Sequence, residues 1–500
     1  MKPKSVISGQ ERLPSEGLNF LTQGADLKMR KREKQQGKGQ QLRLFDRGEV
    51  SLRPDQGTDG GTESTRSKEL NFLSLLARNR ALTGTLLDTV MSAANLNQAY
   101  EAVKRNGGAA GIDGMPTASL RAWLGENGQT LIGAVLSETY EPQAVLGVEI
   151  PKANGGTRLL GIPTVVDRVL QQAIHQQLNL LYEPLFSANS YGFRVGRSAH
   201  DAVEQASGYI QSGYGWVVDI DLKSFFDEIN HDRLMQRLSK GVGDKRLLRL
   251  IRKYLRAGMM RGGVESQRTS GTPQGGPLSP LLSNIVLDEL DKELEKRGHL
   301  FCRYADDCNI YVKTEAAGAR VLASITGFIE KRLKLKVNEE KSGVRHCSQV
   351  KFLGYTVMPK GKIRIADKSL TRFKEKIKQI TQRNRGVSFT SIIAETNAAM
   401  RGWMGYFHLA EIWLQWKDLD GWIRRRLRCY RLKQCGRKYT LFKFLRSLGG
   451  DERQVWNAIM YGGSWWHLSA KLTCQRTMDK EWFARQGLHT LEGLYKRFNR

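Results

Sequence analysis

Two adjacent carboxylates, Asp306 and Asp307, sit between runs of strand-forming residues, with Phe301-Cys302-Arg303-Tyr304 leading in and Ile310-Tyr311-Val312 leading out. This pattern predicts a β-hairpin with the Asp pair at its turn. Adjacent like charges repel, so stability alone does not place them in a tight turn. A divalent cation removes the repulsion, and Mg²⁺ prefers a few carboxylates together with substrate phosphate oxygens. Asp-Asp also occurs in ordinary solvated turns, so the pair alone does not define a metal site. A second stretch strengthens it. In Trp216-Val217-Val218-Asp219-Ile220-Asp221, an alternating apolar strand ends in acid, and Phe225-Phe226 follows. Two-metal phosphoryl chemistry needs carboxylates from separate elements, so that the ions are held about 4 Å apart. Asp221, Asp306 and Asp307 meet that need as metal ligands and catalytic residues. Asp219 reads as a solvated acid at the strand edge.

These residues carry a family resemblance. Tyr304-Ala305-Asp306-Asp307 matches the YxDD box of reverse transcriptases, and Asp221 through Phe226 resembles their first carboxylate motif. Between them, Ser270-Gly271-Thr272-Pro273-Gln274-Gly275-Gly276-Pro277-Leu278-Ser279-Pro280 resembles the long Gln-Gly-Gly motif of group II intron-encoded reverse transcriptases, or maturases. The resemblance runs from about Leu86 to near the C-terminus. It implies an α+β fold: a right-hand polymerase with fingers and palm, and an α-helical thumb known as maturase domain X. It also implies an RNA-directed DNA polymerase using two Mg²⁺ ions, for which Mn²⁺ substitutes. The implied partners are group II intron RNA, an RNA template/DNA primer duplex, target DNA and dNTPs, with roles in splicing and retrohoming.

Several further residues take roles from the resemblance. Lys152 and Arg158 flank an Asn-Gly-Gly turn that reads as a hairpin, and in the family such a fingers hairpin grips the incoming triphosphate. Phe226 matches the aromatic beneath the nucleotide sugar, whose bulk excludes a 2′-hydroxyl. The alternative has Phe226 in the core and Phe225 exposed. Gln274 is expected near the nascent base pair. Lys341 matches a candidate general acid for the leaving pyrophosphate, or is an exposed structural lysine. Arg194 and Arg197, in Tyr191-Gly192-Phe193-Arg194-Val195-Gly196-Arg197-Ser198, are template-phosphate candidates or local caps. In Arg424-Arg425-Arg426-Leu427-Arg428, the arginines Arg424, Arg425, Arg426 and Arg428 are the RNA/DNA contact candidates of the thumb.

Composition agrees with a polyanionic partner. Lysine and arginine exceed acids to give a formal charge of +29 over 500 residues, an excess that favours nucleic acid. No apolar run reaches a membrane-spanning length, and the N-terminus lacks an apolar signal core. The expectation is a cytoplasmic, ribonucleoprotein-associated protein. The scattered cysteines read as reduced thiols. Lacking Cys-x-x-Cys pairs and clustered histidines, the C-terminal third predicts no endonuclease. A homodimer is left open.

The elements that must position the site follow in order. Residues 1–70 read as a largely disordered polar arm with a basic cluster from Lys28 to Lys38. Residues 71–145 form a helical extension and the start of the fingers, 146–364 fingers and palm, 365–440 the thumb, and 441–500 a basic helical tail, a candidate DNA-binding region. Helices are expected over Thr117 to Ser137, Asp167 to Leu185, Ala199 to Gln211, Leu234 to Ala257, from Ser279, and over Glu315 to Leu333. Most tryptophans of the last third are expected in the core. The rival function class is a non-catalytic splicing cofactor with a relic polymerase site. A third is a domesticated reverse transcriptase in repair or phage defence.

Overall fold

Strand Trp216–Asp221 buries Val217, Val218 and Ile220, and such β-branched side chains suit the middle of a sheet. The structure is a computed structural model that describes residues 83–151, 157–261, 264–266, 268–411 and 413–499. These fall into two compact units, 83–362 and 363–499. The arm 1–70, with Lys28 to Lys38, lies outside the described residues, as does Lys152.

In the first unit, helices α1 (Leu86–Val90), α2 (Ala93–Asn106) and α3 (Leu120–Leu136) precede strands β1 (Val145–Pro151) and β2 (Thr157–Ile162). Helices α4 (Val165–Tyr182) and α5 (Ala199–Gln211) lead to β3 (Trp216–Asp221), then α6 (Phe225–Glu228), α7 (His231–Gly241) and α8 (Lys245–Arg256). Strands β4 (Met259–Arg261) and β5 (Val264–Ser266), helix α9 (Ser279–Lys296), strands β6 (Leu300–Tyr304) and β7 (Asp307–Val312), helix α10 (Glu315–Phe328) and strand β8 (Gly343–His346) complete the part that builds the site. The expected helix Leu234 to Ala257 is two helices. Asp244 accepts from the N–H groups of Arg246 and Leu247 and so starts α8 as its N-cap, which favours a break over a continuous helix.

Two four-stranded sheets result. One has the order β2-β1-β4-β5, the other β6-β7-β3-β8. In the second sheet all pairs are antiparallel, and β3 lies between β7 and β8. Its buried side chains join Phe301, Cys308 and Ile310 with Leu281, Leu282 and Ile285 of α9 in one core. Each fully buried aliphatic or aromatic side chain stabilises by about 1.5–3 kcal/mol. The ends of β3 and β7 are thereby rigid where the carboxylates emerge.

The second unit is helical, with α11 (Asp367–Ile380), α12 (Phe389–Phe407), α13 (Trp413–Cys435), α14 (Lys438–Ser447) and α15 (Glu452–Met460), followed by short helices to Phe498. Phe373 stacks on Trp403 at 4.0 Å, and Trp403 meets the edge of buried Trp416 at 5.7 Å. Trp456 of α15 is exposed. All six cysteines are free thiols. Among the described residues, no helix is long and apolar enough to cross a membrane.

Candidate active site

The turn between β6 and β7 is made by Ala305 and Asp306, and Tyr304 pairs with Asp307 across it. So Asp306 lies in the turn and Asp307 opens the returning strand. Ala305 has φ +58°, a left-handed conformation that a residue other than glycine keeps only when its surroundings hold it. Arg303 supplies that hold. Its side chain is buried, with Nε and Nη2 donating to the two carboxylate oxygens of Asp291 at 2.6 and 2.5 Å. Nη1 donates to Asn284 Oδ1 and to the Ala305 carbonyl at 3.1 and 2.9 Å, and Nη2 to Ser190 Oγ at 2.7 Å. The segment 189–191 also lies along β6: Arg303 N–H donates to the Asn189 carbonyl, and Tyr191 N–H to the Arg303 carbonyl. Gly192 then packs so closely that a Cβ there would collide with the backbone of Ala305.

Register brings the acids together. Asp221 lies directly opposite Asp307, and Asp219 opposite Asn309. Burial pushes the Asp307 carboxyl up to about 8, with Asp219, Asp306 and Asp221 adding repulsion. Asp306 is also raised, mainly by burial, with Arg158 and Lys341 acting against it. The ammonium of Lys341 lies 3.3 and 3.4 Å from the two carboxylate oxygens of Asp221. The backbone of Asp221 is fixed as well: its N–H donates to Ser342 Oγ at 2.9 Å, and its carbonyl accepts from the Asn338 N–H at 2.8 Å. Asp219 is not the solvated acid expected. Arg345 Nη1 donates to it at 3.0 Å, and burial raises it to about 6.

These donors suit a hard divalent cation: they are carboxylate oxygens only, and mutually repelling. Among the described residues, no three acidic, histidine or cysteine side chains converge closely enough to hold an ion by themselves.

The nucleotide-side residues flank this cluster. Arg158 on β2 donates from Nε to Gln274 Oε1 at 2.5 Å, and the Gly161 N–H donates to the Gln274 carbonyl at 2.8 Å. Gly275 follows with φ +136°, and a Cβ there would approach the Gly161 carbonyl to 2.5 Å. Glycine lets the loop lie directly against the strand. Phe225 and Phe226 are both buried and meet edge to face at 5.3 Å. Neither ring is the exposed one that the sequence suggested, and the Phe226 carbonyl accepts from Thr272 N–H at 2.7 Å.

Two arginines expected at nucleic acid are instead internal braces. Arg194 is 5% exposed; it donates to Glu183 Oε1 at 2.9 Å and to the carbonyls of Glu183, Ser187 and Ser190. Arg428 donates to the carbonyls of Ser469 and Met478, and burial lowers its pKa to about 10. In both, chain carbonyls take the donors that phosphates would have used. Arg197 bonds the Ala188 carbonyl from an exposed position. Arg425 lies 4.0 Å over the Trp466 ring, and Arg426 donates to Thr381 Oγ1 at 3.0 Å. Arg424 is half-buried beside Asp420. Sequence reasoning missed Arg303, Ser342 and Arg345. An arginine inside an apolar strand two residues before the Asp pair was a signal for the first; the other two carry none.

Comparison with known proteins identifies the family. Residues 150–357 match the model for reverse transcriptase (RNA-dependent DNA polymerase), and residues 370–449 the model for the group II intron maturase-specific domain. Protein YkfC of Escherichia coli (strain K12) is 32% identical over 57% of this chain and 84% of its own length. The group II intron-encoded protein LtrA of Lactococcus lactis subsp. cremoris is 31% identical over 52% of this chain, which spans 54% of that protein. The putative COX1/OXI3 intron 2 protein of Saccharomyces cerevisiae is 30% identical over 42% of this chain and 31% of its own length. The chain belongs to the group II intron-encoded reverse transcriptase/maturase family. Its fold is that of a right-hand polymerase joined to a maturase domain.

Proposed function

We propose that the protein is an RNA-directed DNA polymerase that adds deoxynucleotides to a primer 3′ end, and that it binds a group II intron RNA to assist splicing and retrohoming. The observation that carries the polymerase reading is the register of Asp221 against Asp307, with Asp306 in the adjoining turn. Asp221, Asp306 and Asp307 would hold Mg²⁺, which when bound activates the primer hydroxyl and neutralises the transferring phosphate.

The chain's own groups do the rest. Arg158, beside Gln274, offers a guanidinium to the triphosphate; the resemblance gives Lys152, outside the described residues, the same role. Positive charge fixed there stabilises the phosphate oxygens as the bond to the leaving group breaks. Lys341 holds a proton at Nζ beside Asp221, positioned to protonate the departing pyrophosphate. Phe226, buried against Phe225, matches the family's aromatic beneath the sugar, whose bulk would exclude a 2′-hydroxyl. The +29 charge supports a nucleic-acid partner.

Primer extension on an RNA template with dNTPs and Mg²⁺, comparing wild type with Asp306→Asn, tests the reading. Extension by wild type alone is expected. Extension by both would remove the metal role of the hairpin. Extension by neither, with tight RNA binding, would make the protein a non-catalytic splicing cofactor.

A further inference from the structure

Within the segment from Tyr191 to Ser198, Arg194 turns inward while Phe193 and Val195 on either side of it turn outward. With Arg194 committed to Glu183 and the neighbouring carbonyls, Phe193 and Val195 stand 49% and 73% exposed. Among the described residues of the first unit, Phe193 is the exposed aromatic in the set of large exposed apolar side chains, which otherwise holds Val148, Leu180, Val195 and Val264. Its backbone has φ +59°. A bulky residue adopts that left-handed conformation only under strain, whereas glycine takes it freely.

The strain has a local cause. Gly192 is committed to its close approach on Ala305, and a left-handed position falls on the next residue. A side chain held there gains little from partial burial. A glycine would relax the backbone, and a polar residue would suit the solvent. Fold stability therefore gives no account of the ring, and strained residues cluster where function holds them.

We infer that Phe193 is a nucleic-acid contact: its ring lies against a base or sugar of the primer–template duplex next to the catalytic turn, with Val195 extending the apolar surface. This rests on the polymerase reading. The backbone beside Phe193 packs on the Tyr304-Ala305 turn, so whatever duplex Asp306 and Asp307 act on passes close by. Arg197, stacked 5.5 Å over the Tyr191 ring, supplies a cation in the same segment. Aromatic rings bind bases of any sequence by stacking, as a polymerase that copies any template needs.

The test uses the full chain, a labelled RNA template/DNA primer, and the variants Phe193→Gly and Phe193→Trp. Melting temperature, equilibrium duplex affinity and steady-state extension are measured for each. For Phe193→Gly, the melting temperature should not fall, because the backbone strain is relieved. Its duplex dissociation constant should rise about tenfold, the size of one lost aromatic stack, with the KM for dNTP within about twofold. Phe193→Trp should restore duplex affinity. Unchanged duplex affinity in Phe193→Gly would overturn the inference, as would an effect confined to the KM for dNTP. Absence of extension by wild type would instead defeat the polymerase reading, and the affinity arm would still decide the role of Phe193.

Discussion

Replacing Arg303 with methionine separates what this side chain does for stability from what it does for the site. The guanidinium and Asp291 are both essentially excluded from water. Removing the cation leaves the Asp291 carboxylate buried and unpaired, and takes the arginine donors from Ser190 Oγ, Asn284 Oδ1 and the Ala305 carbonyl. Breaking one partner of a buried pair costs about 3–5 kcal/mol, so Arg303→Met should lower the denaturant midpoint sharply or prevent folding. The double variant Arg303→Met/Asp291→Leu removes both charges. Apolar pairs that replace buried ion pairs are often neutral to stabilising by about 1–4 kcal/mol, so most of the lost stability should return. Activity should not return, because the Ala305 carbonyl and Ser190 have lost the group that ties the turn to its neighbours. Urea unfolding and primer extension on the three proteins measure the two effects separately. If the double variant extends primers at the wild-type rate, Arg303 contributes stability alone, and the claim that it positions Asp306 is refuted.

Phe226→Val should raise incorporation of ribonucleotides relative to deoxynucleotides by about tenfold or more, the scale of one relieved steric clash, while Phe225→Leu leaves the ratio unchanged; equal ratios in wild type and Phe226→Val would move the sugar discrimination elsewhere. For Asp307, the folded pKa is raised from 3.8 to about 8, so the folded state binds the extra proton. Metal-free stability should then fall as pH rises from about 4 to 8, by at most about 1.4 kcal/mol per unit. Thermal melts in chelator should show this loss in wild type and less of it in Asp307→Asn, while added Mg²⁺ stabilises wild type more than the variant. Identical pH profiles for the two proteins would contradict the assignment.

What could be read beforehand was what is local in the chain. The acids of β3 and of the β6–β7 turn carry their own signals, because strand alternation and a charged turn are written in consecutive residues. Helix α5 was legible from its apolar spacing. Partnerships across long stretches of chain were not legible. Arg194 reads as a surface cation until Glu183 and the carbonyls of Ser187 and Ser190 are seen around it. Asp219 reads as solvated until β8 brings Arg345 alongside. The break between α7 and α8 turns on Asp244 acting as a cap, a local effect hidden by the apolar periodicity on both sides. Both Phe225 and Phe226 are buried in the core of the first unit, which the spacing from Asp221 does not reveal.

The backbone of residues 189–191 along β6 has a consequence beyond catalysis. Strand β6 is the outer strand of its sheet, and an open outer strand is a template on which another chain can pair and begin to aggregate. Here the Asn189 carbonyl and the Tyr191 N–H already take the edge groups of Arg303, and Ser190 makes a parallel bridge to it. The segment that braces the acidic turn thus also closes part of the sheet to strand addition. Loosening it would expose that edge to self-association as well as free the turn.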